Sequence, residues 1–152
     1  YDIWESITSV VFGAEQRLEA NNIQISGFAP TKTLVLADQD LVYQVIYNLV
    51  NNAINYTGDD KQIWVRQIMR EDGYVRIEVT DSGEGIAPEA LPYVWDRYYK
   101  VDKTHKRAVM GTGLGLSIVK NILELHDARY GVESEVGKGS TFWFELKVYQ
   151  IV

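Results

Sequence analysis

Hydrophobic residues in the first third of the chain recur mainly with the spacing of a helix. Over residues 3–20 the apolar side chains fall three or four positions apart, which predicts an amphipathic helix. Two short apolar runs, 23–25 and 34–36, predict strands on either side of a turn. A second helix is predicted over 38–56, with Asp38 as its N-cap.

The rest of the chain switches between strand and helix patterns. Its predicted elements are, in chain order, a strand over 63–69, a strand over 74–80, a short helix over 88–95, a helix over 114–125, a strand over 130–135 and a strand over 141–148. The strands pair as two hairpins, so the sheet should be mixed but mostly antiparallel. We therefore expect a two-layer α/β sandwich, with about three helices packed on one sheet, rather than a doubly wound parallel sheet.

Composition and charge narrow the class of protein. The 152 residues suit one domain, and we treat 1–152 as a single unit. With 21 acidic and 15 basic residues the net charge is −6, which argues against nucleic acid or an anionic membrane surface as the main partner. There is no cysteine, so disulfide and thiolate chemistry are excluded. No stretch is apolar enough to span a membrane and no signal peptide is present; because the chain starts at Tyr1 rather than Met, we expect it to be a piece of a longer protein.

Two segments suggest a small anionic ligand, although each has a plainer explanation. Gly111-Thr112-Gly113-Leu114-Gly115-Leu116 leaves backbone amides uncovered at the start of a helix, where phosphate binds well, but such runs also serve as ordinary turns. The cations before it stand out in an acidic chain, although they also fit a solvated loop; they are Lys100, Lys103, Lys106 and Arg107.

The helix over 38–56 is unusually rich in asparagine, a poor helix former. Asn48, Asn52 and Asn55 recur at i, i+4 and i+7 and so form a polar stripe beside an apolar one. Carboxamide oxygens are suitable ligands for Mg²⁺, which usually also binds substrate phosphates. The plainer alternative is a solvent-facing asparagine row.

A carboxylate ends the strand over 74–80. Asp81 is followed by Ser82-Gly83-Glu84-Gly85-Ile86, so it could accept a hydrogen bond from a buried amine while the glycines admit a flat ring. An Asp-Ser-Gly turn that merely closes the strand is the alternative.

Taken in order, these segments resemble the ATP-binding catalytic (HATPase) domain of two-component sensor histidine kinases, within the GHKL superfamily. Residues 48–57 look like the N box of that family, 81–86 like the G1 box, 95–100 like the F box and 111–116 like the G2 box. The resemblance spans nearly the whole chain and implies the Bergerat ATP-binding fold.

The resemblance also implies ligands and roles. Asn52 would coordinate Mg²⁺ that bridges the phosphates of ATP, and Asp81 would accept from the adenine amino group. The residues expected to contact ATP are Asn48, Asn52, Asn55, Tyr56, Asp81, Gly83, Gly85, Ile86, Tyr99, Lys100, Lys103, Arg107, Gly111, Thr112, Gly113, Leu114, Gly115, Leu116 and Thr141. Among them Tyr56 and Thr141 would border the adenine pocket, and the cations would lie in a nucleotide lid.

One position bears on the reaction. Hydrolytic members of the superfamily carry a glutamate one turn before the metal-binding asparagine, whereas this chain has Asn48, whose amide cannot activate water. Transfer of the γ-phosphate to histidine is therefore expected rather than ATP hydrolysis, and the transfer should depend on positioning and charge neutralisation. A catalytically inactive nucleotide-binding regulatory module, an ATPase of the same superfamily and a plain glycine-rich interaction domain are the alternatives.

No catalytic residue is expected within the chain itself, because neither histidine has the sequence context of the acceptor. We interpret His105 as a lid residue and His126 as a helix C-terminal residue that satisfies nearby groups. The implied partners are the chain's own dimerisation and phosphoacceptor domain, within a homodimeric parent, and a response regulator. The implied location is the cytoplasm, with the parent anchored in a membrane.

The chain also departs from the family pattern at several positions. Trp95 and Tyr98 stand where phenylalanine is usual, which keeps an aromatic anchor. The other departures are Asn55 in place of a basic residue, Met110 in place of glycine, and Asp127-Ala128 in place of a glycine pair.

Overall fold

Three α-helices and five strands make up the described part of the chain. The computed structural model describes residues 1–14, 24–26, 33–56, 62–95 and 115–149. In chain order the elements are α1 (Ile3–Gly13), β1 (Gln24–Ser26), α2 (Gln39–Tyr56), β2 (Gln62–Met69), β3 (Tyr74–Asp81), α3 (Gly115–Leu125), β4 (Arg129–Glu135) and β5 (Gly139–Lys147). A single 3₁₀ turn, Leu91–Tyr93, lies between β3 and α3.

The strands form one mixed sheet, covered on one face by the helices. Its order is β1-β2-β3-β5-β4; β1 runs parallel to β2 and every other neighbouring pair is antiparallel. Helix α2 contacts α1, α3 and strand β3. The predicted two-layer sandwich, with a mostly antiparallel sheet on three helices, is confirmed.

The core lies between these two layers and follows from the period-2 pattern of the strands. On β3 the buried residues are Val75, Ile77 and Val79, and on β5 they pair with Leu146, Phe144 and Phe142. Alternate residues of each strand therefore point at the helices. The helices supply the complementary surface, with side chains such as Ile7, Val45 and Leu49 that are 2% exposed or less.

Three predicted elements differ from the structure. Residues 34–36 form only isolated bridges, Asp2 with Leu34 and Val35 with Val148. Their partners lie just before α1 and just after β5, where no strand continues. Of the helix predicted over 88–95, only one turn is helical. Strand β5 begins at Gly139, before the predicted Thr141, because Gly139 and Ser140 still pair with β4. The predicted continuation of α1 over 15–20 lies outside the described residues.

The start of α2 is capped as predicted, and the end of α3 is closed by a motif that was not predicted. Asp38 caps α2, since its Oδ1 accepts from Leu41 N at 3.0 Å. At the C-terminus of α3, Ala128 N donates to Leu123 O at 2.9 Å and Asp127 N to Glu124 O at 3.1 Å. This pair of bonds is a Schellman motif, and it places Asp127 in the left-handed region at φ 50°.

The face of the sheet away from the helices carries an ion-pair network centred on Glu145. The Glu145 side chain is 5% exposed, and its oxygens lie 3.3 Å from Arg129, 3.5 Å from Arg70 and 3.7 Å from Arg76. The Arg76 guanidinium also lies 4.1 Å from the centroid of the Trp143 ring. Charged and aromatic side chains thus take the place of a second helical layer.

Within the described ranges, none of the helices combines the length and hydropathy that a bilayer crossing requires.

Candidate functional site

The asparagine stripe of α2 is partly buried rather than a solvent-facing row. Asn48 and Asn52 are half-buried, and Asn55, one turn further on, is exposed. Asn51 lies on another side of the helix, where it lines a groove between α1 and α2. The structure therefore separates the predicted stripe from the fourth asparagine.

Asn52 has an unusual environment. Its side-chain Nδ2 is buried and finds no hydrogen-bond partner among the described residues. An unpaired buried amide costs about 1–3 kcal/mol, so such groups are uncommon in folded proteins. Because rotation by 180° exchanges the amide oxygen and nitrogen, this position can present the oxygen that Mg²⁺ requires. The residues therefore fit a metal shared between Asn52 and ligand phosphates. No group of three or more acidic, histidine or cysteine side chains in the described ranges offers an alternative metal site.

The start of α3 lies against the asparagine stripe. A Cβ built on Gly115, the first residue of α3, would come 3.9 Å from Asn48 Oδ1. Leu116 packs against the hydrophobic core and fixes the first turn of α3 in that position. The N-terminus of α3, whose first amides cannot be paired within the helix itself, thus lies on the side of α2 that carries Asn48.

Asp81 ends β3 on the helix-facing side of the sheet. It is 1% exposed, and its Oδ1 accepts from Gly83 N at 2.9 Å. The turn after β3 is therefore organised by the carboxylate itself. This hydrogen bond is the one expected of the Asp-Ser-Gly turn that closes the strand, and acceptance by Asp81 from the amine of a ligand stays a prediction.

The loop that follows, residues 82–86, is bound to the turn between β4 and β5. Ile86 N donates to Ser134 Oγ at 2.8 Å, and Gly137 N donates to Glu84 O at 2.7 Å. Gly85 has φ 79°, and a Cβ there would overlap the carbonyl group of Glu135. A close approach between two backbones therefore requires glycine at position 85, a constraint separate from the predicted role in admitting a ring.

Thr141 lies on the outer face of the sheet. It pairs with Thr80, and the two hydroxyl oxygens are 2.8 Å apart on the face of the sheet away from the helices. Asp81 is instead paired with Ser140, which is 2% exposed. Ser140, and not Thr141, therefore shares the helix-facing side of the sheet with Asp81, and the role of Thr141 beside the adenine pocket stays a prediction. Strict alternation from Phe142 and Phe144 would have identified Ser140.

Trp95 anchors the end of the described segment 62–95 to the sheet. Its ring makes edge contacts with Tyr130, at a centroid distance of 5.2 Å, and with Phe142, at 5.5 Å. The predicted aromatic anchor at this position is therefore present.

Many of the predicted ligand residues are not covered by the structure. Those that lie outside the described residues are Tyr99, Lys100, Lys103, Arg107, Gly111, Thr112, Gly113 and Leu114, together with the side chain of Tyr56 and with Tyr98, His105 and Met110.

His126 has the structural role that its position predicted. Its Nε2 accepts from Asp38 N at 3.0 Å, and its Nδ1 lies 2.8 Å from Ile122 O. Both contacts are satisfied when Nδ1 carries the proton. His126 thus links the end of α3 to the start of α2, and both ring nitrogens are engaged in doing so.

Among the described residues, the carboxyl group whose pKa is clearly lowered is that of Asp72, which precedes β3 at the end opposite Asp81. Arg129 Nη1 donates to Asp72 Oδ2 at 2.6 Å, and this hydrogen bond holds the pKa of Asp72 below its ordinary value. The lowered pKa therefore belongs to a carboxyl group in the β2–β3 turn and not to one in the candidate site.

Comparison with known proteins agrees with this geometry. A family model described as histidine kinase-, DNA gyrase B- and HSP90-like ATPase matches residues 37–150. The chain is 42% identical over 130 residues to drug sensory protein A of Synechocystis, covering 80% of this chain and 20% of that protein. It is 40% identical over 147 residues to the sensor-like histidine kinase SenX3 of Mycolicibacterium smegmatis, covering 94% of this chain and 38% of that protein.

Among solved structures, full-length ShkA in complex with AMPPNP superposes with a TM-score of 0.81 at 28% identity, covering 100% of this chain and 31% of ShkA. The chain thus spans well under half the length of each of these three proteins.

Proposed function

Because this chain belongs to the histidine kinase-, DNA gyrase B- and HSP90-like ATPase family, we propose that it is the ATP-binding catalytic domain of a two-component sensor histidine kinase. In this proposal it binds Mg-ATP and delivers the γ-phosphate to a histidine outside the chain. The observation that carries the proposal is the contact between Gly115 and Asn48, since it joins a helix N-terminus to an asparagine stripe that includes the unpaired amide of Asn52.

The base of the nucleotide is proposed to lie against the end of β3. The Asp81 carboxylate is a buried hydrogen-bond acceptor, so it suits the amino group of adenine, which acts only as a donor. The loop that contains Gly83, Gly85 and Ile86 is fixed to the β4–β5 turn, and a pre-formed wall of this kind binds a flat ring with little loss of entropy.

The phosphates are proposed to lie between α2 and α3. Asn52 would hold Mg²⁺, which when bound neutralises part of the phosphate charge. Asn48 and Asn55 belong to the same stripe. The first amides of α3, at Gly115 and Leu116, are proposed to donate to phosphate oxygens. The glycines at 111 and 113 are proposed to extend this cradle.

In the proposed reaction the imidazole nitrogen of an acceptor histidine attacks the γ-phosphorus. A nitrogen–phosphorus bond forms, the bond from phosphorus to the β,γ-bridging oxygen breaks and ADP leaves. The imidazolium formed by the attack then loses the proton of its other ring nitrogen to water. Neutral imidazole is already a nucleophile, so the transfer does not require a general base at position 48, where this chain has asparagine. The contribution of this chain is orientation and charge stabilisation.

The acceptor histidine is proposed to lie in a dimerisation domain of the parent protein, with a response regulator receiving the phosphate afterwards. We further propose that the domain works in the cytoplasm and that the parent is a membrane-anchored homodimer. The similarity to a protein named as a sensor-like histidine kinase supports the proposed histidine acceptor.

Titration of the 152-residue chain with ATP, with and without Mg²⁺, tests the proposal. Mg²⁺ is expected to tighten binding, and Asn52→Ala is expected to remove most of that gain while binding without Mg²⁺ changes little. Asn51→Ala is the matched control, because Asn51 lies on the same helix but lines the α1–α2 groove. If neither Mg²⁺ nor Asn52→Ala alters the affinity, the catalytic proposal fails and a regulatory nucleotide-binding module replaces it.

A second measurement addresses the transfer itself. A dimerisation domain from a sensor kinase, mixed with the chain and labelled ATP, should acquire acid-labile phosphate, as phosphohistidine does. Binding of Mg-ATP without any such transfer to a panel of these domains would favour the regulatory module.

A further inference from the structure

Ser134 lies at the junction of three segments that form the proposed base pocket. It sits near the end of β4, paired with Ser140 of β5 on the helix-facing side of the sheet. Its Oγ is 2.8 Å from Ile86 N, 2.9 Å from Gly139 O and 2.7 Å from Ser140 Oγ. One hydroxyl therefore contacts the loop after Asp81 and the first two residues of β5.

The proton count at this hydroxyl fixes the direction of each bond. Ile86 N can only donate and Gly139 O can only accept, so Ser134 must give its single proton to Gly139 O and receive one from Ile86. The remaining contact is satisfied only when Ser140 donates its own proton to Ser134. Every partner in the cluster is then paired, as buried polar groups require.

This arrangement leaves Ser140 Oγ as an acceptor toward the pocket. Within the described ranges its hydroxyl has no other hydrogen-bond partner. Ser140 lies directly across the sheet from Asp81, so their Cβ atoms are about 5 Å apart. The carboxylate of Asp81 also accepts. Two neighbouring acceptors favour a ligand group that carries hydrogens and disfavour one that carries lone pairs.

We propose that Ser134 is a positioning residue that makes the pocket selective for 6-amino over 6-oxo purine nucleotides, because it holds the Ser140 hydroxyl in its accepting orientation. The inference rests on the proposed function, since it requires a purine nucleotide at Asp81. Ser134 itself touches the loop and not the base. Without the Ser134 oxygen, the Ser140 proton is released to turn toward the pocket and donate to a 6-oxo group.

The test compares the affinities of the 152-residue chain for Mg-ATP and Mg-ITP, which differ at position 6 of the base. The wild type should prefer ATP. Ser134→Ala should reduce the ratio of the two affinities by roughly threefold to tenfold, the equivalent of about one ordinary hydrogen bond. Ser134→Thr retains a hydroxyl and should restore the ratio. Loss of stability alone weakens both nucleotides together and leaves the ratio unchanged.

The outcomes separate the two proposals. If the wild type binds neither nucleotide, the proposed function itself fails. If the wild type binds and prefers ATP, two results would overturn the role of Ser134 while the proposed function stands. One is an unchanged ratio of affinities in Ser134→Ala, and the other is a ratio in Ser134→Thr that falls as far as in Ser134→Ala. Should Ser134→Ala not fold, Ser140→Ala removes the acceptor but leaves the bonds from Ser134 to Ile86 and Gly139. Its ratio should fall as well, and an unchanged ratio would overturn the inference.

Discussion

Gly115, the first residue of α3, lies beside the side chain of Asn48 in α2, although the two residues are far apart in the chain. A Cβ on Gly115 would lie 3.9 Å from Asn48 Oδ1, which is ordinary van der Waals contact. Residue 48 therefore lies beside the N-terminus of α3, where the phosphates are proposed to bind. We accordingly propose that a carboxylate at this position favours hydrolysis and an amide favours transfer.

Asn48→Glu is expected to convert the site toward hydrolysis. A carboxylate one turn before Asn52 can accept a proton from water, and general-base assistance contributes about 10²–10⁴-fold in enzymes generally. We expect steady release of inorganic phosphate to rise at least about tenfold over wild type, measured under saturating Mg-ATP. Asn48→Gln introduces a side chain of the same length as glutamate but without its charge, so phosphate release should not rise in this variant. Steady phosphate release by the wild type that disappears in Asn48→Ala would point to an ATPase instead.

Gly85→Ala should destabilise the protein through a single backbone contact. The new Cβ would overlap the Glu135 carbonyl at a residue whose φ is 79°. We expect a loss of about 2–4 kcal/mol in the free energy of unfolding, measured by urea denaturation. Gly73→Ala is the control, because Gly73 has φ 86° but open space around it, and should cost only about 1 kcal/mol. Equal losses in the two variants would show that the Glu135 contact is unimportant.

Glu145→Ala tests the ion-pair network on the outer face of the sheet. The variant leaves Arg70, Arg76 and Arg129 without their shared carboxylate, which is 5% exposed. Removing one partner of a buried pair costs about 3 kcal/mol, and denaturant unfolding should show a loss of that order. Glu133→Ala removes a carboxylate that is 72% exposed, so its effect should stay within about 0.5 kcal/mol. A loss no larger than that of the control would mean that solvent screens the network.

Asp127→Gly should stabilise the protein. Asp127 occupies the C′ position of the Schellman motif after α3 at φ 50°, where glycine has no steric penalty. We expect a gain of about 0.5–1 kcal/mol by thermal or urea unfolding. Asp127→Ala retains the Cβ and should not show it. If Asp127→Gly instead destabilises the protein, the aspartate side chain must stabilise the turn by more than its left-handed backbone conformation costs.

The Asp72–Arg129 pair predicts a pH-dependent contribution to stability. The hydrogen bond from Arg129 keeps the pKa of Asp72 low in the folded state, so the folded protein binds that proton less readily than the unfolded chain. Its contribution is therefore present above the unfolded pKa of about 3.9 and is lost as the pH falls through the folded value. The difference in melting temperature between wild type and Asp72→Asn should be larger at about pH 6 than at about pH 2.5. A difference that grows on acidification would contradict this sign.

Local patterns predicted the secondary structure well where they included a cap or a turn. Asp38 was predicted as an N-cap and His126 as a residue that satisfies nearby groups, and both roles are confirmed. The run over 34–36 was predicted as a strand and forms only isolated bridges, because strand formation needs a partner edge that no local pattern reveals.

What the sequence by itself determined was the set of chemical groups and their order: the asparagine helix, the carboxylate before two glycines, and the glycine run before α3. These follow from short-range periodicity and backbone sterics, which act within a few residues. Only the tertiary structure decided which groups meet. Sheet register placed Ser140 rather than Thr141 across from Asp81, and Ser134 beside Ile86, because a shift of one residue turns a side chain to the opposite face and long-range pairing alone fixes that shift.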